Sequence, residues 1–503
     1  MDNHGFASIR TGIAMLPTTQ AAHYIANRWT APAGGATLPV IDPANGEIFA
    51  YIARGNAADI DAAVKAARAA YSGNDNVGGD GPWGRVPAAD RGRLMMKISQ
   101  AIAAHAEELA QLECHDTGKP IKQARADALA CARYFEYYAG ACDKLHGETL
   151  PYQRGYTVMT IREPHGVTGH IIPWNYPMQI FGRSVGAALA AGNACVVKPA
   201  EDSCLSLLRI AELTSSILPE GALNIVTGLG VEAGAALSAH PDIDHISFTG
   251  SPVTGSLVAQ AAAVNHRPVT LELGGKSPQV VFADADLDAA LPVLVNAIIQ
   301  NAGQTCSAGS RVLVEQSIYA QVVERLAAAF SKLTAGPGEA DLDLGPVVNA
   351  RQRDRVAAYV AQGERDGVRV AARGKVADSA SKNGYYIAPT LFADVPADHT
   401  LAQEEVFGPV LAVMPFKDEA EALQLANGTA FGLIAGLWTR DGARQLRMAR
   451  KLHAGQVFIN NYGAGGGVEL PFGGMKHSGY GREKGFEALL GFTALKTIAI
   501  SHG

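Results

Sequence analysis

Apolar residues recur at i, i+3 and i+4 over 57–71 and 90–114, which predicts two early amphipathic helices. A glycine- and asparagine-rich loop over 73–84 separates them. Strict alternation over 156–161 (YTVMTI), with Gly155 before it and Pro164 after, predicts an exposed hairpin strand. From Gly166 the pattern becomes regular. GVTGHII, NACVVKP, ALNIVTG, DHISFTG and PVTLELGG read as strands, with helices over 177–191, 203–217, 231–239 and 252–263 between them. This strand–helix alternation predicts a doubly wound parallel sheet, with ligand at the strand C-terminal ends. A second alternation follows Glu272: PQVVFA, SRVLVE, GPVLAVMPF, LIAGLWT and QVFIN as strands, and 287–300, 318–333, 419–426 and 443–452 as helices. The last segment, FTALKTIAIS (492–501), is one more alternating strand. It can pair with YTVMTI or with another subunit, and because exposed apolar edges are usually covered, an oligomer is expected.

Length and composition narrow this picture. The 503 residues leave room for roughly three domains at ~150 residues each. With 48% apolar and 18% charged residues the chain is globular rather than disordered. A net charge of −6 gives no electrostatic reason to seek nucleic acid or an anionic membrane. Six cysteines without a paired framework indicate reduced thiols and a cytoplasmic setting. The first twenty residues carry Asp2 and no apolar core, so no signal peptide is expected. The most apolar stretch, 185–197, is interrupted by Gly192 and Asn193 and falls short of the ~18–20 residues of a membrane span.

Several familiar motifs fail. LGGKS (273–277) has Thr270 where a P-loop needs glycine, and the run from Gly228 to Gly234 is one residue too long for G-x-G-x-x-G. Neither H-E-x-x-H nor C-x-x-C occurs, so no metal centre is expected. Gly182-Arg-Ser184-Val-Gly186 does match the G-x-S-x-G elbow of serine hydrolases. That elbow needs a strand directly before its serine, whereas these residues fall inside a predicted helix.

Three segments carry candidate chemistry. Cys306 lies between Gly303 and Gly309 in a polar, turn-like stretch, where a thiol stays reachable; a lone cysteine is otherwise a small core residue. Glu272 ends an apolar strand ahead of two glycines, as a buried ion-pair partner or as a base of raised pKa. In Pro173-Trp-Asn175-Tyr-Pro177 two prolines fix a turn, and the Asn175 amide either donates to an oxyanion or only shapes that turn.

Taken together, IIPWNYP (171–177), VVKPAE (196–201), FTGSPVTG (248–255), LELGGKSP (271–278), GQTCSAGSR (303–311), EEVFGPV (404–410) and ELPFGGMKHSGYGRE (469–483) resemble the aldehyde dehydrogenase superfamily, in its order and over nearly the whole chain. Glu272 precedes Cys306 by 34 residues, which is similar to the spacing of the hydrolytic members. The resemblance implies an α/β fold: a Rossmann-like NAD-binding domain (1–146 and 165–276), an α/β catalytic domain (277–485) and a small β oligomerisation arm (147–164 and 486–503). It implies oxidation of an aldehyde to a carboxylic acid. Cys306 would be the nucleophile, passing through a thiohemiacetal and a thioester. Asn175 and the Cys306 backbone N–H would receive the oxyanion, and Glu272 would activate the hydrolytic water. Ile171, Trp174, Lys198, Glu201, Gly230, Gly250, Ser251, Glu405 and Phe407 would hold the cofactor. A carboxylate at Glu201 would repel a 2′-phosphate, which favours NAD+ over NADP+.

Tyr176, Phe181, Tyr462 and Phe472 are candidate walls of the substrate tunnel, suited to a medium or aromatic aldehyde. Glu469, beside the glycine-rich run 463–467, is either a rim charge or a site for a cationic aldehyde. The partners expected are a small aldehyde and a second copy, as homodimer or homotetramer. One departure concerns the proton route: many relatives carry Trp-Lys where this chain has Arg183-Ser184. Two other readings compete, a cysteine or serine hydrolase (or acyltransferase) and a non-catalytic dehydrogenase-like protein.

Overall fold

The computed structural model describes residues 21–73, 78–463 and 467–503. The first twenty residues, with their expected lack of a signal peptide, lie outside these, as do 74–77 of the early loop and 464–466 of the glycine-rich run.

The first alternation folds as five parallel strands inside an eight-stranded sheet. Across the sheet they run Leu223–Ile225, Ala194–Pro199, Val167–Ile172, His245–Thr249, Val269–Glu272. Numbered along the chain, this order is 3-2-1-4-5. It reverses between Val167–Ile172 and His245–Thr249, the switch point at which open α/β sheets leave a crevice for ligands. The Pro173–Pro177 turn and the Gly250–Ser251 turn leave the sheet at that crevice. The second alternation builds a seven-stranded sheet, parallel except for its edge strand Arg369–Arg373. A third sheet pairs Thr493–Ser501 with Tyr156–Pro164 along their whole length, and Thr149–Leu150 beside them. YTVMTI and the last strand are therefore partners within one chain.

Several elements depart from expectation. The helix expected over 90–114 is two, Ala88–Ala104 and Ala106–Thr117, broken at His105 (φ −111°, ψ 18°). Buried Ile102 and Leu109 are seven apart, so the apolar stripe runs on across the break and periodicity cannot detect it. The helix expected over 231–239 begins as a wide turn, Gly230–Gly234, before Ala235–Ala239. Ile121–Ala141 and Ala350–Arg365 are helices that the pattern did not single out. The segment from 486, expected in the arm, starts with the helix Gly485–Gly491, whose Ala488 and Leu489 are buried in the core of the first sheet. Only from Thr493 does the chain enter the arm sheet.

Pro177–Ala191 lies on the first sheet beneath Ile121–Ala141, with every residue but Gln179 buried. A Cβ on Gly182 would come 3.0 Å from the Tyr134 ring, and one on Gly186 would come 3.2 Å from that of Tyr138. The two glycines of the G-x-S-x-G match, four apart on one helix face, thus let a neighbouring helix approach. Ser184 is mid-helix and buried, not at an elbow.

Candidate active site

Cys306 follows the helix Leu287–Ile299 and a tight turn in which Asn301 (φ 48°) and Ala302 (φ 53°) are left-handed. Non-glycine residues in that region store strain and cluster at functional loops. Gln304 braces the loop: its Nε2 donates to the Asn301 carbonyl (3.0 Å), and its Oε1 accepts from the Val348 N–H (2.9 Å). Cys306 is only partly buried, unlike the other five cysteines. It packs, with Phe458 and Tyr462, against a buried apolar cluster of Leu433, Ile434 and Phe472. Burial pushes its thiol up to about 12; Arg183 pulls it back, while Glu272 and Glu405 push it further. Cys306 stands before the strand Arg311–Glu315, at the N-terminal end of the second sheet, and faces the C-terminal ends of the first.

Glu272 is the last residue of Val269–Glu272 and is buried. Neither of its carboxylate oxygens meets a donor among the described residues. Burial raises its pKa well above the usual range, as does nearby Glu483; Arg183 opposes this. Its backbone carbonyl accepts from the Gly250 N–H (3.0 Å), tying the 250–251 turn to this strand end. Three residues on, a Cβ at Gly275 would lie 2.4 Å from the Cys306 carbonyl, so Glu272 and Cys306 sit on chain segments in direct contact. Asn175 is buried, and its Nδ2 donates to the Gln304 carbonyl (3.0 Å), two residues before Cys306.

The cofactor candidates gather at the switch point. Ile171 lies beside Lys198 and Phe248 on the flanking strands. The Lys198 ammonium pairs with Glu201 at 3.0 Å. Ser251 caps the helix Pro252–Val264, its Oγ accepting from the Thr254 N–H. Space over Gly230 is open to 4 Å, so nothing fills the place of its missing side chain. The Trp174 and Phe407 rings meet edge to face at 5.4 Å. Phe407 is itself left-handed (φ 58°), and Gln352 holds its carbonyl at 2.6 Å. Glu405 Oε1 accepts from the Gly275 N–H (2.9 Å), while burial pushes its carboxyl up to about 7. A lysine–glutamate ion pair, a helix N-terminus, an open glycine shelf and aromatic walls in one crevice fit a dinucleotide.

Of the tunnel candidates, Tyr462 and Phe472 border Cys306, and the Tyr462 hydroxyl donates to the Ser307 carbonyl (2.7 Å). The Tyr176 hydroxyl meets Thr305 Oγ1 at 2.9 Å. Phe181 is a correction: it is fully buried in the first core against Phe135, where a phenylalanine contributes about 1.5–3 kcal/mol of stability. It points inward because its helix is buried on nearly every side. Glu469 pairs with Arg133 at 2.6 Å, both half-exposed, as a neutralised rim charge.

Residues that sequence reasoning passed over include Phe458, on the opposite face of its strand from Val457 and Ile459, and Glu483, inside a quoted motif but not singled out. Arg183 ion-pairs with the buried Glu483, and its guanidinium lies 4.8 Å from the Phe472 ring centroid. Ser184 belongs to a buried hydrogen-bond chain. His170 Nδ1 lies 2.7 Å from Ser184 Oγ, Ser184 donates to Ser247 Oγ (2.9 Å), and Ser247 donates to Glu483 Oε1 (2.9 Å). The other ring nitrogen of His170 meets Thr168 Oγ1 at 2.8 Å. With the Ser184 proton directed at Ser247, His170 donates to Ser184 instead of accepting from it, the wrong sense for a hydrolase base.

Burial also lowers the His170 pKa from 6.5 to about 3. A folded-state pKa below the unfolded one means that the unfolded chain binds the extra proton. The stability held by neutral His170 is complete above pH 6.5 and is lost as pH falls toward 3. Thermal unfolding followed between pH 7.5 and 4 will show Tm falling, and His170→Gln will flatten that slope. An unchanged slope would remove His170 as a cause.

The sequence model of the aldehyde dehydrogenase family matches residues 29–498. A benzaldehyde dehydrogenase of Antirrhinum majus is 43% identical over 470 residues, covering 93% of this chain and 86% of the relative. A crystal structure from Burkholderia cenocepacia, named only as a candidate aldehyde dehydrogenase, is 69% identical (TM-score 0.94; 96% of this chain and all of that one). An aldehyde dehydrogenase from Bacillus cereus, solved as its NAD+ complex, is 41% identical (TM-score 0.92; 98% of this chain and all of that one). With a family match over nearly its whole length and relatives this similar, the chain belongs to the aldehyde dehydrogenase family.

Proposed function

We propose that the protein oxidises an aldehyde to a carboxylic acid with NAD+, using Cys306 as nucleophile, Asn175 as oxyanion donor and Glu272 as the base for water. The observation that carries this reading is the convergence of the three on one point. Asn175 donates to the backbone just before Cys306, the glycine turn after Glu272 packs on the Cys306 carbonyl, and the Glu272 carboxylate has no protein donor among the described residues.

The Cys306 sulfur bonds to the carbonyl carbon as its thiol proton passes to solvent water and the carbonyl electron pair moves onto oxygen as the oxyanion. One Asn175 N–H already serves Gln304, which leaves the second, with the Cys306 N–H, for the oxyanion. NAD+, when bound, supplies the acceptor for the hydride leaving that carbon. A thioester then remains on Cys306. Glu272 takes a proton from water, which attacks the thioester, frees the acid and restores the thiol. A buried carboxylate of raised pKa suits this step, because it holds a proton more readily than a solvated one.

Ile171, Trp174, Lys198, Glu201, Gly230, Gly250, Ser251, Glu405 and Phe407 would hold the dinucleotide. Glu201 sets the preference for NAD+ over NADP+. Glu201→Gln should raise the use of NADP+ relative to NAD+ by about tenfold, the effect of one charge at a part-exposed site. An unchanged ratio of the two kcat/KM values would overturn its role.

Tyr176, Tyr462, Phe472 and Phe458 give aromatic walls for a medium or aromatic aldehyde, a reading the name of the Antirrhinum majus relative supports. Pairing of Glu469 with Arg133 removes the motive for a cationic one. The arm strand Thr493–Ser501 leaves Leu495 and Ile500 exposed, which supports a homodimer or homotetramer. Six unpaired cysteines support a cytoplasmic setting. The decisive experiment follows NADH absorbance with aliphatic, aromatic and amino-aldehydes at saturating NAD+. No signal with any of them, with NAD+ or NADP+, would refute the reading.

A further inference from the structure

A buried ion cluster lies behind the Asn175 turn. Lys119 sits between Gly118, left-handed at the end of the helix Ala106–Thr117, and Pro120, which precedes Ile121–Ala141. It is fully buried. Its ammonium has three protons and three acceptors: Glu113 Oε1 (2.6 Å), Asp127 Oδ2 (2.5 Å) and the Asn175 carbonyl (3.0 Å). The two carboxylates pass the grip onward. Glu113 Oε2 accepts from the Met178 N–H (3.2 Å), and Asp127 Oδ1 accepts from Gln179 Nε2 (2.5 Å). The ammonium also lies 4.4 Å from the Tyr176 ring centroid. Contacts from this one cluster therefore reach Asn175, Tyr176, Met178 and Gln179. The Asn175 carbonyl takes a second hydrogen bond from Asn301 Nδ2 (2.8 Å), in the strained turn before Cys306.

Ion clusters buried this deeply add little net stability, since desolvation consumes most of their attraction. Stability alone therefore does not account for placing one here. We propose that Lys119, with Glu113 and Asp127, is a positioning residue for the reaction. It holds the Asn175 backbone so that the side-chain amide, which donates to the Gln304 carbonyl two residues before Cys306, faces the oxyanion formed there. This rests on the assignment of Asn175 as oxyanion donor. Lys119 touches neither substrate nor cofactor in this role. It acts on the acylation step, and through Asn175 alone.

The test is a double-mutant cycle read as the burst rate of NADH formation. Lys119→Met removes the charge at similar volume. Because it strands two carboxylates, the triple variant Lys119→Met, Glu113→Gln, Asp127→Asn serves as the neutral counterpart should the single variant fail to fold. Either variant should lower the burst rate by about 10–100-fold, a part of the ~10²–10³ carried by one oxyanion donor. NAD+ affinity by fluorescence should stay within twofold. In an Asn175→Ala background the same change should alter the burst rate less than twofold, because the group it positions is gone. Equal fold-losses in both backgrounds, or a loss confined to NAD+ affinity, would overturn the proposal. If Asn175→Ala alone leaves the burst rate unchanged, the assignment of Asn175 fails instead, and the two failures are told apart.

Discussion

Cys306→Ala lowers aldehyde-dependent NADH formation by about 10⁴-fold or more, the scale at which a covalent nucleophile is lost. No second thiol can substitute, because the other five cysteines are buried. The variant keeps its fold, since Cys306 borders the apolar cluster without filling a closed core. NAD+ binding, followed by protein fluorescence, should persist. Activity toward an activated ester should vanish as well, which separates this reading from a serine hydrolase. Ser184 is buried mid-helix, and its histidine partner is oriented to donate. Esterase activity surviving in Cys306→Ala and lost in Ser184→Ala would reverse that conclusion.

Glu272→Gln gives the second large effect, a fall in kcat of about 10²–10⁴-fold, the range of a positioned general base. The replacement keeps shape and burial and removes only the capacity to take a proton. Thioester formation precedes the water step, so the variant should still release a burst of NADH near one equivalent per site and then stall. The pH dependence follows from the same group. A base works only when ionised, and burial raises the pKa of Glu272 well above the carboxylate norm. The wild-type steady-state rate therefore climbs with pH as Glu272 ionises, and that limb disappears in Glu272→Gln. A variant lacking both burst and trapped thioester would assign Glu272 to acylation instead.

Much of the fold was legible because both sheets have buried, parallel centres. Their strands are short, continuous apolar runs bounded by glycine, proline or asparagine, and the helices between them carry a clear stripe. Legibility failed where that contrast is weak. Ile121–Ala141 is alanine-rich, and the break at His105 leaves the stripe in phase. Phe181 reads as an aromatic on an amphipathic helix, but its helix is buried on nearly every side, so residue type alone cannot tell core from tunnel.

By itself the sequence determined the family. A cysteine between glycines, a glutamate ending an apolar strand and an asparagine between prolines each admit a purely structural reading alone; it is the order of the motifs around them that marks the family, and the resemblance that implies their roles. Only the tertiary structure decided what lies around them. Lys119 meets Asn175 across 56 positions, and Ser247 meets Glu483 across 236. No local pattern encodes such contacts, because hydrogen bonds depend on distances that chain folding creates, whereas periodicity records only which face of one element turns inward.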